Sequence, residues 1–227
     1  MPLSPPYDIQ PVTEDDVEAC MESGAPAFHN DRLRMATFPP HLIDPSDPDE
    51  ELNFRRRRMR KRLAENQGCH WKIVDPDRPG SIAAWASWVA PQKLDPDGGD
   101  KKIVADGADQ NERPKCADPV VLDVQYKYMK ESKERVFGES KDFWYLASLS
   151  CHPDYQRKGL GAALVQWGLE QAEKDGVPVY LEATPMGAFL YKKLGFEEVD
   201  EVDLTRFMLD GKEYKIVSML KRPSNKA

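Results

Sequence analysis

Leu149-Ser150-Cys151-His152-Pro153-Asp154-Tyr155-Gln156-Arg157-Lys158-Gly159-Leu160-Gly161-Ala162-Ala163-Leu164 is the stretch whose reading decides the fold. With the apolar residues just before it, 143–151 reads as a buried strand, His152–Gly159 as a loop, and Leu160 to about Lys174 as a helix. Leu160, Ala163, Leu164 and Trp167 form one apolar stripe and Ala162, Val165, Leu169 and Ala172 another, so this helix packs deep in the body. Asp175-Gly176-Val177-Pro178 stops it, with glycine at the cap and proline just beyond. Gly159 and Gly161 flank one residue at its first turn. Glycine lets a backbone come close to a ligand and take unusual dihedrals. The first N–H groups of a helix lack intrahelical partners and lie at the positive end of its dipole. Together these make a backbone cradle suited to a pyrophosphate, with Arg157 and Lys158 adding charge at its rim.

Downstream, Val179–Ala183 reads as a strand, 187–194 as a short helix closed by Gly195, and 196–204 and 215–220 as two final strands. Strand, helix, strand implies a parallel crossover within a mixed sheet. Three phosphate cradles compete for 156–162. The pattern GxxxxGK[ST] is absent, and GxGxxG fails at its third position, where Leu164 stands. Glu182, at the end of the next strand, sits about where a ribose-binding acid would. The dinucleotide fingerprint, however, starts almost directly after its strand, and here His152–Lys158 intervene.

The third cradle is the better match. Residues 149–164 closely resemble the acetyl-coenzyme A signature of the GCN5-related N-acetyltransferases (GNAT superfamily), a strand ending near V-x-P followed by [Q/R]-x-x-G-x-[G/A] opening a helix. Leu190-Tyr191-Lys192-Lys193-Leu194-Gly195-Phe196 resembles the second landmark of that family, LYxKLGF. The resemblance covers 143–204, and the chain is similar to small fungal members whose acceptors are unassigned. It implies a mixed α+β fold, in which a central, largely antiparallel sheet splays open after the strand ending at Cys151 and is flanked by helices. Acetyl-CoA would lie in that gap as co-substrate, with no metal. Its pantetheine arm would meet Leu149, Ser150 and Cys151, and its pyrophosphate the N–H groups from Arg157, Lys158, Gly159, Leu160, Gly161 and Ala162, beside Gln156. Tyr191 matches the tyrosine that serves as general acid to the departing thiolate. A phenol, with an ordinary pKa of about 10, suits that task. Seven residues earlier, where the family often has an asparagine touching the pantetheine arm, this chain has Thr184, whose hydroxyl also hydrogen-bonds.

The general base is not named by the resemblance. Glu182, a water held by Ser148 or Ser150, and the acids of 91–142 are the residues open to that role. The acceptor implied is a primary amine of a small molecule, since nothing suggests a peptide groove. An acyl-CoA-binding module without catalysis and a dinucleotide-dependent oxidoreductase are the alternatives. Trp85, Trp88, Trp144 and Tyr145 either line an acceptor pocket or pack within strands.

In the N-terminal half, Thr13-Glu14-Asp15-Asp16 begins a helix running to about Phe28, after a Pro-rich lead-in over 1–12. Residues 39–48 read as a loop. A second helix runs from about Pro48 to Gly68 with Leu52, Met59 and Leu63 on its apolar side. It carries Arg55–Arg58 and Arg60-Lys61-Arg62, a basic run that reads as a solvated helix face rather than a targeting or phosphate patch. Cys69–Val74 and Ser81–Val89 form an antiparallel hairpin, 91–119 an irregular stretch acting as a lid or merely loose, and about 119–136 a third helix. With 227 residues, the chain reads as one domain with an insertion at 91–136.

A net charge of −7, from 32 bases against 39 acids, argues against nucleic-acid binding. No apolar run approaches the ~20 residues that span a bilayer. The start, Met-Pro-Leu-Ser-Pro-Pro, lacks a signal peptide, so a cytoplasmic location is the expectation. The four cysteines, Cys20, Cys69, Cys116 and Cys151, lie far apart and form no metal-ligand or disulfide pattern. Cys151-His152 is a weak dyad, because neighbours in a strand face opposite ways. Monomer and homodimer both remain open.

Overall fold

The computed structural model describes residues 7–64, 68–78, 80–92 and 112–224. In chain order they form β1 (Ile9–Pro11), α1 (Val17–Phe28), α2 (Arg32–Thr37), α3 (Glu50–Ala64), β2 (Gly68–Val74), β3 (Ile82–Val89) and α4 (Pro119–Phe137). Then follow β4 (Trp144–Cys151), α5 (Leu160–Asp175), β5 (Val179–Ala183), α6 (Pro185–Lys193), β6 (Glu197–Asp203) and β7 (Lys215–Lys221). The strands make one sheet in the order β1-β2-β3-β4-β5-β7-β6. Only β4 and β5, joined through α5, run parallel, so the α+β fold class and mixed sheet expected from the sequence are what the chain adopts.

The core lies between the sheet and α5. Leu160, Leu164 and Val165 meet Ile73, Ala84, Ala86, Trp88, Val179 and Leu181 there, all essentially closed to solvent. The helix approaches β3 most tightly at Gly168, where a Cβ would stand 2.3 Å from the Trp88 ring. Trp88, one of the aromatics open to a pocket role, is thus a packing residue. Trp144 also joins this core, with its ring edge-on to Trp88 at 6.4 Å.

On the opposite face α1 and α3 cover the first half of the sheet, with Val17, Cys20, Met21 and Met59 buried against Ile82. The arginines of α3 dock that helix through acids. Arg56 pairs with Glu18, Arg60 with Glu14 and Glu18, Arg55 with Glu51, and Arg57 with Glu112. Four arginines of the basic run are thus ion-paired, and Arg58 lies over the Phe54 ring at 5.4 Å.

Helix α4 covers the second half. Its N-cap, Asp118, accepts from the Val120 and Val121 amides, and a hydroxyl network joins Tyr128 and Ser132 to Tyr180 of β5 and Ser218 of β7 at 2.7–2.9 Å. The C-terminal part of the expected insertion is thus built into the body. The 91–119 reading falls largely on residues outside those described.

The structure adds two elements to the sequence reading. Within the lead-in, Ile9–Pro11 pairs with Trp71–Ile73 as an edge strand, where a proline is tolerated. Arg32–Thr37 forms a short helix whose N-cap, Asp31, accepts from the Arg34 amide at 2.8 Å. Residues Pro40–Leu42 add a single 3-10 turn inside the loop over 39–48.

Because Trp88 is fully buried, it cannot yield to a side chain at Gly168. Gly168→Ala is expected to lower the unfolding free energy by about 2 kcal/mol despite alanine's better helix propensity. Denaturant melts of the two proteins check this, and equal stability would contradict the close packing.

Candidate functional site

The site begins with one surplus residue. In the β3–β4 ladder Ser87 faces Ser148 and Trp88 faces Leu146, so Ala147 has no counterpart and β4 bulges there. A bulge bends its strand and ends regular pairing. Accordingly the β4–β5 ladder holds Trp144↔Val179 and Tyr145↔Tyr180, whereas β3–β4 continues to Ala84↔Cys151 and β5–β7 to Ala183↔Val217. Between Leu146–Cys151 and Leu181–Ala183 the sheet is open. The splay expected next to the strand ending at Cys151 is present. It starts at Leu146, because the bulge turns β4 away from β5 while β3 holds it.

Along this open edge the side chains alternate. Leu149 and Cys151 pack with the core on the α5 side. Ser150 turns to α1, where its Oγ would lie 3.5 Å from a Cβ on Gly24, and it is buried with no hydrogen-bond partner among the described residues. Ser148 donates to the Ala147 carbonyl at 2.7 Å and accepts from Arg62 at 3.2 Å. Behind it, the imidazole of His70 meets Ser87 at 2.8 Å. Burial, then the Arg62 cation, brings the His70 pKa down to about 4, so the ring is neutral.

Past Cys151 the chain forms the cradle. Gln156 donates from its amide to the Cys151 carbonyl at 3.2 Å. Arg157 takes a left-handed φ of 63°, and Gly159, the N-cap of α5, one of 83°. The first bond into the helix runs from the Ala163 amide to the Gly159 carbonyl, which leaves the amides of Leu160, Gly161 and Ala162 ahead of it, as at any helix start. Gly161 itself is ordinary helix. A Cβ on it would lie 3.7 Å from Leu190 and 3.8 Å from Leu149, between α6 and β4. Of the two glycines, Gly159 serves conformation, while at Gly161 a methyl group would make ordinary contact with Leu190 and Leu149. Lys158 places its ammonium over the Tyr155 ring at 4.8 Å.

Helix α6 forms the far wall. Thr184 is its N-cap and accepts from the Gly187 amide at 3.3 Å. Thr184 thus has a structural task of its own, and its hydroxyl hydrogen remains to donate. Tyr191 is 7% exposed, with its ring edge-on to Phe196 at 5.8 Å. Its hydroxyl has no protein partner among the described residues, and burial alone drives its pKa well above the usual phenol value.

Glu182 faces the other way, toward α4. Its carboxylate accepts from the Tyr145 hydroxyl at 2.7 Å and lies 3.4 Å from the Lys133 ammonium, which sits over the Tyr145 ring at 3.8 Å. This knot ties α4 to the base of the opening. The Cys151–His152 dyad does not form. The thiol points to the His152 carbonyl at 3.8 Å, the imidazole accepts from the Asp154 amide, and burial pushes the thiol up to about 11. All four cysteines are free. Among the described residues no three His, Cys, Asp or Glu side chains gather as a metal site, and no helix is long and apolar enough to cross a membrane.

Sequence reasoning missed Arg62, Lys133 and Asp75, whose bond to Tyr155 is described below. Each reaches the site from a distant segment, and no local pattern signals it.

Comparison with known proteins agrees with this geometry. Residues 126–198 match the family model described as "Acetyltransferase (GNAT) domain". A segment of 46 residues is 48% identical to "Probable acyltransferase SID5" of Ajellomyces capsulatus, covering 20% of this chain and 34% of that protein. The chain thus spans about a third of the length of that curated relative. Among solved structures, arylalkylamine N-acetyltransferase 2 from Aedes aegypti has a TM-score of 0.60 at 16% identity, over 96% of this chain and 100% of that one. The yncA protein of Salmonella typhimurium, solved with its cofactor acetyl-CoA, has 0.51 at 15% identity, over 97% and 96%. At these identities the structures establish a shared fold.

The His70 environment generates a pH effect of definite sign. Its folded pKa, about 4, lies below the ordinary value of 6.5, so between them the unfolded chain binds the extra proton. Stability is retained above about pH 6.5 and falls as pH drops toward 4, by up to about 1.4 kcal/mol per unit from this residue. Chemical denaturation across that range should show a steeper fall for the native protein than for His70→Gln. Parallel curves would contradict the assignment.

Proposed function

We propose that the chain is a GCN5-related N-acetyltransferase, a reading supported by the match over residues 126–198 and by the 46-residue likeness to a probable acyltransferase, and that it transfers the acetyl group of acetyl-CoA directly to a primary amine of a small molecule. The observation that carries this reading is the opening from Leu146 to Cys151, bounded at one end by the start of α5.

An extended pantetheine arm can add to the free backbone edge of Leu149, Ser150 and Cys151 as a short extra strand would. The left-handed turn at Arg157 and Gly159 brings the backbone round so that the amides through Ala162, together with the charges of Arg157 and Lys158, receive the pyrophosphate. Gln156, bonded to the Cys151 carbonyl, supports the cradle, and Thr184 has a hydroxyl proton to offer the arm.

In the reaction the amine nitrogen bonds to the thioester carbonyl carbon and the C–S bond breaks. The sulfur takes a proton from Tyr191, and the proton left on nitrogen departs to solvent or a base. A phenol whose pKa burial has raised stays protonated through the neutral range, so a donor is always present where thiolate charge develops.

Coenzyme A release over a panel of primary amines (polyamines, aminoglycosides, amino-acid derivatives) tests the reading. Tyr191→Phe should lower kcat by about a hundredfold with little change in KM for acetyl-CoA. Full turnover by Tyr191→Phe would remove the acid role. Binding of acetyl-CoA without turnover of any amine would favour the acyl-CoA-binding alternative.

A further inference from the structure

We propose that Asp75, in the β2–β3 turn, is a positioning residue for the diphosphate of the acyl donor, acting through the hydroxyl of Tyr155 and touching no donor atom itself. This rests on the acetyl-CoA reading above.

The cradle loop is held in a backbone arrangement that side chains disfavour. Arg157 is left-handed at 63°, two residues before Gly159 at 83°. Such residues persist only where the surroundings fix them. On the β4 side the Gln156–Cys151 bond is one restraint. The other is Tyr155, which ends the 3-10 turn Pro153–Tyr155, is 7% exposed, and buries its ring in the central core. Its hydroxyl donates to Asp75 Oδ2. The same ring lies beneath the Lys158 ammonium and edge-on to His152, so it locates a rim charge as well as the backbone.

Asp75 is itself firmly set. Its Oδ1 accepts from the Asp77 amide at 3.0 Å, its own amide donates to the Ser81 carbonyl at 2.9 Å, and its carbonyl accepts from the Arg78 amide at 3.2 Å. The Tyr155 hydrogen bond first, then the Asp77 amide and the Arg78 and Lys158 charges, keep its carboxyl below the ordinary range, against a smaller opposing effect of burial. A charged acceptor makes a stronger bond than a neutral one. The hairpin turn, remote in sequence, thereby sets the ring that carries the loop.

If Asp75 acted only as a staple for the hairpin, its loss would affect every ligand alike. The proposal instead assigns it to the diphosphate end. Dissociation constants of CoA and of pantetheine, which keeps the arm and lacks the diphosphate, separate the two by calorimetry. Tyr155→Phe preserves the buried ring and should weaken CoA about tenfold while pantetheine binding changes less than twofold. Asp75→Asn keeps a neutral acceptor and should weaken CoA by a smaller factor. The double variant should be no worse than Tyr155→Phe alone, because both act through one bond. Equal weakening of both ligands, or of neither, would overturn the proposal. A native protein that binds neither ligand would instead overturn the acetyl-CoA reading beneath it.

Discussion

Ala147 is one residue too many for the strand beside it, and much of the molecule is arranged around that surplus. Up to Tyr145 the sheet is continuous. Beyond it β4 keeps its antiparallel partner β3 and leaves its parallel partner β5, which stays paired with β7. Each side of the opening is thus held by a ladder that does not depend on the gap, so the gap is a fixed feature of the fold. An open strand edge ordinarily invites another chain. Here it is recessed between helices, where a slender ligand can add to it.

Polar contacts do the work of placing the helices around this opening. The arginines of α3 reach Glu18 on α1, Glu14 just before it and Glu51 on their own helix, and exposed pairs of this kind are worth about 0–1 kcal/mol each. Their effect is on register more than on stability, and it carries the last of them, Arg62, to Ser148 on the open edge. Helix α4 docks through buried hydroxyls at Tyr128, Ser132, Tyr180 and Ser218, and through Lys133 and Glu182. Buried polar groups are favourable when mutually satisfied, and such a set admits few alternative dockings. Helix α4 is therefore fixed at the base of the opening.

Much of this was legible in the sequence, for a local reason. The hairpin over 69–89, helix α5 with its two apolar stripes and glycine stop, and the loop around Gly159 all follow from residues close together in the chain. Strand β1 was hidden because prolines mark a loop unless the strand lies at an edge, and whether it does is a tertiary fact. Helix α2, of six residues, is too short to show a period. The site divides in the same way. Gln156 to Ala162 and Tyr191 lie in recognisable motifs, whereas Tyr155 is joined to Asp75 across 80 positions and Ser148 to Arg62 across 86. Glu182, read as an open strand-end acid, is drawn into the α4 docking knot by Lys133, which no local pattern connects to it.

The claim on which the rest stands is that the opening and its helix start receive acetyl-CoA. A thermal-shift titration of the native protein with acetyl-CoA, free CoA and NAD tests it without knowledge of the acceptor. At a hundred times its dissociation constant a ligand adds about 2.7 kcal/mol, enough to raise Tm by a few degrees. The account predicts such a rise with acetyl-CoA and CoA and none with NAD. A flat response to acetyl-CoA, or a rise with NAD alone, would contradict it and leave 156–162 as a packing motif.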